Sequence, residues 1–186
     1  MSSVTHSARL AYEDYLLFPD DGKKHEIMNG EHYVTPSPRT KHQIASGNLS
    51  RLLGAFVHKA KLGRVFAAPF DVILSDADVV QPDLLFISAA RASIITEKNV
   101  QGAPDLTIEI LSETTRKTDT TLKRKLYERH GVLEYWIVDP ENDSVETYRS
   151  TDTGFIHAGM LSREEGGVLS SPLFPGLAIP LTEIFE

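Results

Sequence analysis

The chain has 186 residues, a length that suits one domain with a sizeable core, and 41% of them are hydrophobic. Its 26 acids outnumber its 19 lysines and arginines, giving a net charge of −7 and a pI near 5.5, which argues against a simple basic coat for nucleic acid. There is no cysteine, which excludes disulfides and thiolate metal sites, and no apolar stretch approaches the roughly 18 residues that would span a bilayer.

Met1 to Arg9 is polar and lacks the apolar core of a signal peptide, so a cytoplasmic location without a membrane is expected. Residues 9–18 predict a short helix, stopped by Pro19-Asp20-Asp21-Gly22. His25-Glu26-Ile27-Met28 and His32-Tyr33-Val34-Thr35 flank Asn29-Gly30, a strong hairpin signal. After the Pro36-Ser37-Pro38 break, Ile44, Leu49, Leu52, Leu53, Phe56 and Val57 follow helical spacing, predicting a long amphipathic helix from Arg39 to Lys61. Strands are expected at Val65–Ala67 and Phe70–Leu74, then at Val80–Ile87 after a turn at Ser75–Asp78. Arg91–Asn99 reads as a connection with one helical turn, and Leu106–Leu111 as a further buried strand.

A helix is predicted from Thr118 or Asp119 to His130, capped by Gly131. A short apolar strand follows at Glu134–Val138, in which Trp136 reads as core. Ser144–Arg149 and Gly154–Met160 look like an antiparallel pair, Leu173–Leu181 like a proline-rich wrap, and Leu181–Phe185 like a last short helix. No repeat or linker interrupts the order. It predicts one α/β domain over residues 1–186, with a mixed central sheet flanked by helices, an N-terminal hairpin and a C-terminal antiparallel strand pair.

Charge is unevenly spread. From His32 to Phe70 there is no acid, while Arg39, Lys41, Arg51, Lys59, Lys61 and Arg64 lie there with three histidines. Arg116, Lys117, Lys123, Arg124, Lys125 and Arg129 form a second basic group. Such regions either steer a polyanion or are ordinary solvated helix faces. His42 reads as a phosphate contact or as a solvated residue near a helix start.

Two acids stand in strand-like apolar runs: Asp83 in Gln81-Pro82-Asp83-Leu84-Leu85-Phe86-Ile87, and Glu109 in Leu106-Thr107-Ile108-Glu109-Ile110-Leu111. A carboxylate there is costly unless its charge is compensated. Asp83 would also suit a turn after proline, and Asp105 belongs to a turn beside Pro104. Two carboxylates meeting in a cleft repel one another unless a cation such as Mg²⁺ accepts both. Asp119, Lys123 and Tyr127 recur every four residues and share a helix face, which makes Lys123 the candidate ammonium, with a plain Asp119–Lys123 surface pair as the alternative. Glu26, between His25 and Ile27, is either a further metal or water ligand or an exposed strand residue. Acid, acid and lysine at a sheet edge suit metal-assisted phosphodiester hydrolysis. No nucleophile elbow, phosphate loop, dinucleotide fingerprint or zinc-protease motif is present.

The ordered set of Glu26-Ile27-Met28-Asn29-Gly30-Glu31, Ser37-Pro38-Arg39 with His42, Gln81-Pro82-Asp83-Leu84, Pro104-Asp105-Leu106, Glu109-Ile110-Leu111-Ser112, Asp119-(x)₃-Lys123-(x)₃-Tyr127 and Gly131 to Pro140 resembles the Uma-type family of the PD-(D/E)XK nuclease superfamily. The resemblance implies a restriction-endonuclease-like fold and a Mg²⁺- or Mn²⁺-dependent endonuclease acting on DNA, working as a homodimer. It further implies that Asp83 and Glu109 bind the metal with help from the Ile110 carbonyl, that Glu26 belongs to the same site, and that Lys123 positions the attacking water. In the superfamily this lysine usually lies two residues after the glutamate, where this chain has Leu111. Arg39, Lys41 and His42 on the long helix would meet the nucleic-acid backbone. The alternative is an inactive module of the same fold that binds nucleic acid or protein.

Overall fold

The computed structural model describes residues 9–186; Met1–Ala8, which make up most of the stretch read for a signal peptide, lie outside the described residues. The first element is a single turn, α1 (Tyr12–Tyr15), not a helix over 9–18. So short a helix has little stability of its own, and Leu16 and Leu17 beyond it are exposed.

The hairpin forms as expected from β1 (Lys24–Met28) and β2 (Glu31–Thr35). Asn29 and Gly30 take φ of 54° and 78°, the two positive angles that a tight two-residue hairpin turn requires. The long helix is α2 (Thr40–Ala60), whose inward stripe is Ala45, Leu49, Leu53 and Val57. Ile44, expected in that stripe, is instead 41% exposed.

The next five strands are β3 (Gly63–Ala67), β4 (Val72–Ser75), β5 (Asp78–Val80), β6 (Leu84–Ser88) and β7 (Val100–Gln101), with a 3₁₀ turn at Ala89–Ile94. The expected strand Val80–Ile87 is therefore two strands in two different sheets. Pro82 has no N–H for a ladder, and the chain crosses between the sheets at Gln81–Asp83. After β8 (Leu106–Ile110) come π-helical turns at Thr118–Lys123 and the helix α3 (Arg124–His130), ended by Gly131 at φ 81°. The chain closes with β9 (Glu134–Asp139), β10 (Ser144–Thr151), β11 (Gly154–Ser162), β12 (Val168–Ser171), β13 (Phe174–Pro180) and α4 (Thr182–Phe185). The expected proline-rich wrap is thus β13, paired with β12 in a two-stranded ribbon whose strands are both edges and so tolerate Pro175 and Pro180.

A six-stranded mixed sheet in the order β11-β10-β9-β8-β6-β3 stands at the centre, with β8 and β9 parallel and joined by the crossover through α3. On one face α2, α4 and the β12–β13 ribbon enclose Leu84, Phe86, Ile108, Trp136 and Phe174. On the other face α3 and the second sheet, β2-β1-β5-β4-β7, enclose Leu85, Ile87, Leu111, Tyr127 and Tyr135. Covered on both faces, β8 and β9 are buried throughout; β8 still alternates, with Leu106, Ile108 and Ile110 on one face and Thr107 and Glu109 on the other. The mixed α/β architecture with both terminal strand pairs agrees with the expectation. Among the described residues no helix is long and apolar enough to cross a membrane.

Candidate active site

The antiparallel register of β6 against β8 pairs Leu84 with Ile108, and one step further sets Asp83 opposite Glu109. Directly opposed residues of an antiparallel pair point to the same face, so the two carboxylates arrive together. That face is the one that β1 and α3 also cover. Glu26 reaches it from β1, and Asp119, Lys123 and Tyr127 reach it from the helical segment above. Glu26, Asp83, Glu109, Asp119 and Lys123 are therefore brought into one cluster. Glu109 and Lys123 are almost wholly buried, at 1% and 2% exposed. Asp105 is also buried, but it serves the bend before β8, accepting the Ser88 N–H at 2.7 Å and facing Arg91 at 3.4 Å.

Lys123 Nζ lies 2.9 Å from Glu26 Oε1, 3.0 Å from Glu109 Oε1 and 3.7 Å from Asp119 Oδ1. The Tyr127 hydroxyl donates to the same Glu109 oxygen at 2.6 Å, and the Gln81 N–H donates to Glu26 Oε1 at 2.9 Å. Asp83 Oδ2 accepts the Ile110 N–H at 2.8 Å and faces His42 Nε2 at 3.1 Å. Ile110 thus meets Asp83 through its amide. Of the three residues expected to touch nucleic acid, His42 turns into this cluster, while Arg39 and Lys41 form exposed pairs with Glu113 and Glu141, each at 2.9 Å.

One participant escaped the sequence reading. Lys24 Nζ stands 3.4 Å from Asp83 Oδ1 and 3.7 Å from Glu109 Oε2. Its signal was the strand period of two: Lys24 and Glu26 must share a face of β1, so assigning Glu26 to the site brings Lys24 with it. Asp119 is likewise no surface partner but a buried acid, and its Oδ1 has no hydrogen-bond partner among the described residues. The π-helical turns at Thr118–Lys123 are a local widening that periodicity cannot reveal.

The charges are unevenly balanced. Burial would raise the Asp83 carboxyl, but Lys24, His42 and the Ile110 amide outweigh it and hold the group well below the usual carboxylate range. Burial opposes the Glu26 anion too, and there Lys123 and Lys24 prevail and lower it. For Glu109 burial prevails over both lysines, and with Asp119 and Asp83 adding their repulsion the carboxyl is pushed up to about 7. Burial also raises Asp119. Lys123 stays protonated, raised well above 10.5 because its acid neighbours outweigh its desolvation.

Glu109 therefore binds a proton more readily folded than unfolded. Its contribution to stability is complete below its ordinary 4.5 and is lost as pH rises through about 7. Glu109→Gln, neutral at every pH, is expected to flatten stability over that window. Urea midpoints measured from pH 4.5 to 7.5 check this, and an unchanged slope in the variant would assign it to another group.

The cluster fits a divalent cation. Four carboxylates, from Glu26, Asp83, Glu109 and Asp119, face the two ammoniums of Lys24 and Lys123, so about two negative charges are in excess when all four are ionised. The site opens on a cavity of about 700 Å³ lined by Lys24, His42, Asp83, Glu109, Asp119 and Lys123 among others, which leaves room for water and substrate. Among the described residues no three His, Asp or Glu side chains are grouped to hold a metal by themselves. Mg²⁺ usually rests on one or two carboxylates and several waters, so it needs no closed protein cage.

A family model described as Putative restriction endonuclease, Uma2, matches residues 12–182. Among solved structures, a putative nuclease belonging to DUF820 from Anabaena variabilis is similar, with a TM-score of 0.79 and 21% identity over 95% of this chain and 97% of that one. At that identity the likeness is one of fold. No curated protein matches.

Proposed function

The chain belongs to the Uma2 family, described as Putative restriction endonuclease, and from that premise we propose that it is a metal-dependent endonuclease hydrolysing DNA phosphodiesters. The observation that supports this reading is that one oxygen each of Asp83 and Glu109 lies within 3.7 Å of a single point, now taken by Lys24 Nζ, with the Lys123 ammonium 3.0 Å from Glu109, at the wall of a cavity of about 700 Å³.

Asp83 and Glu109 would hold Mg²⁺ or Mn²⁺, with the Ile110 carbonyl as a further oxygen donor. Bound there, the ion would supply Lewis acidity at the phosphoryl oxygen and a lowered pKa for bound water. The protein's own groups do the rest. The Tyr127 hydroxyl and Lys123 clamp Glu109 Oε1, and the Ile110 amide with His42 clamps Asp83 Oδ2, so each carboxylate is aimed before substrate arrives. Lys123 makes two short bonds, to Glu26 and Glu109, and only a long approach to Asp119, so its remaining N–H is the one that would orient the attacking water. Glu26 holds that ammonium in place. Arg39 and Lys41 would give sequence-independent affinity by exchanging their carboxylate partners for phosphates. A homodimer would let two sites cut both strands.

Incubation of supercoiled plasmid with the protein and Mn²⁺ or Mg²⁺ tests this. Nicking is expected, stopped by EDTA and restored by added ion, and absent with Glu109→Ala. Nicking that survives Glu109→Ala would point to a contaminant or another site. The second reading, a non-cleaving binding module, is favoured by one feature: two internal lysines already compensate much of the acid charge. DNA binding without nicking in either ion would select it.

A further inference from the structure

Each of the two proposed ligands has one oxygen engaged and one turned outward. Asp83 Oδ2 is taken by the Ile110 amide and His42, and Glu109 Oε1 by Lys123 and Tyr127. The remaining oxygens, Asp83 Oδ1 and Glu109 Oε2, are the two that a cation would use, and both face Lys24 Nζ. Its distances, 3.4 and 3.7 Å, exceed the roughly 2.7–2.9 Å of a firm ammonium–carboxylate bond. Lys123, at 2.9 and 3.0 Å, is held closely. The Lys24 side chain is also 18% exposed, on the cavity side, against 3% for Lys123, and its four-carbon stem can swing without moving β1.

We propose that Lys24 is a built-in competitor of the divalent ion, its ammonium bridging the two outward carboxylate oxygens and giving up that position when the ion binds. This rests on the metal-site reading above. It assigns the two lysines different work: Lys123 is a fixed member of the site, and Lys24 is a displaceable counter-charge that keeps the acids compatible until metal arrives. The ion must therefore overcome an internal ion pair, which sets its apparent affinity below that of the bare carboxylates.

Calorimetric titration of Mn²⁺ into the wild type, Lys24→Met and Asp83→Asn tests it, alongside thermal unfolding in EDTA and in saturating Mn²⁺. Lys24→Met is expected to bind Mn²⁺ about tenfold more tightly than the wild type, the scale of removing one partly buried competing charge, and Asp83→Asn to lose binding. In EDTA Lys24→Met should melt below the wild type, and Mn²⁺ should close that gap. Equal or weaker Mn²⁺ binding by a folded Lys24→Met overturns the inference while the metal site stands. Absence of Mn²⁺ binding by both wild type and Lys24→Met overturns the metal site and the inference with it. Should Lys24→Met not fold, a wild-type crystal grown with Mn²⁺ decides: Nζ displaced from both carboxylates supports the proposal, and Nζ still between them overturns it.

Discussion

Asp83→Asn is expected to reduce metal-dependent plasmid nicking about 10³-fold, the scale on which loss of one preorganised electrostatic partner acts. The substitution keeps the shape of the side chain and can keep the bond from the Ile110 amide, which the wild-type carboxylate accepts at 2.8 Å. What changes is the outward atom. With its oxygen on Ile110, the amide turns an NH₂ toward Lys24, so a donor faces a donor where Oδ1 now stands 3.4 Å from the ammonium. Of its two proposed carboxylates a cation would then keep only Glu109, beside the Ile110 carbonyl. Stability provides a second readout. Asp83 is held below its ordinary 3.8 in the folded protein, so its contribution is present above that value and lost as pH falls through the folded one. The variant should therefore be less stable than the wild type at pH 7, with the gap closing in acid. Nicking above about a tenth of the wild-type rate would remove Asp83 from the metal site.

Lys123→Met is expected to cost about 3–5 kcal/mol of folding stability at pH 8, because it strips the ammonium from among the buried carboxylates of Glu26, Glu109 and Asp119. Lys24 cannot replace it, since its head group lies beside Asp83 and the far oxygen of Glu109. Glu109, already pushed up to about 7, would be the first acid to take up a proton, so the loss should shrink as pH falls toward 6. Adding Glu26→Gln to Lys123→Met should recover part of the stability, and the double-mutant cycle would show a coupling beyond about 0.5 kcal/mol. Urea denaturation of the two single variants and the double measures both quantities. A loss below about 1 kcal/mol at pH 8 would mean that Lys123 is not the principal counter-charge.

Much of the site was legible because burial and charge conflict visibly in one dimension. Glu109 between Ile108 and Ile110 announces a carboxylate in a buried strand, and the four-residue spacing of Asp119, Lys123 and Tyr127 puts all three on one face. The hairpin was legible from Asn29-Gly30, whose backbone angles few other pairs adopt. The strand break at Pro82 was misread, because an apolar run does not say to which sheet each half belongs. The β12–β13 ribbon was missed because its prolines forbid only a central strand, and whether a strand is an edge depends on its neighbours.

The sequence by itself determined which residues would need compensation: apolar periodicity set the elements, and charged groups inside them marked a shared site. Only the tertiary structure decided how that compensation is shared. The register of β6 on β8 faces Asp83 with Glu109, and the packing of β1 beside them delivers Lys24 to the outward oxygens while α3 delivers Tyr127 to the inward one. The physical reason is range. Local preferences act over a few residues, whereas the charge balance of a buried cluster depends on groups up to 99 positions apart in the chain, from Lys24 to Lys123, that meet only when the sheets close.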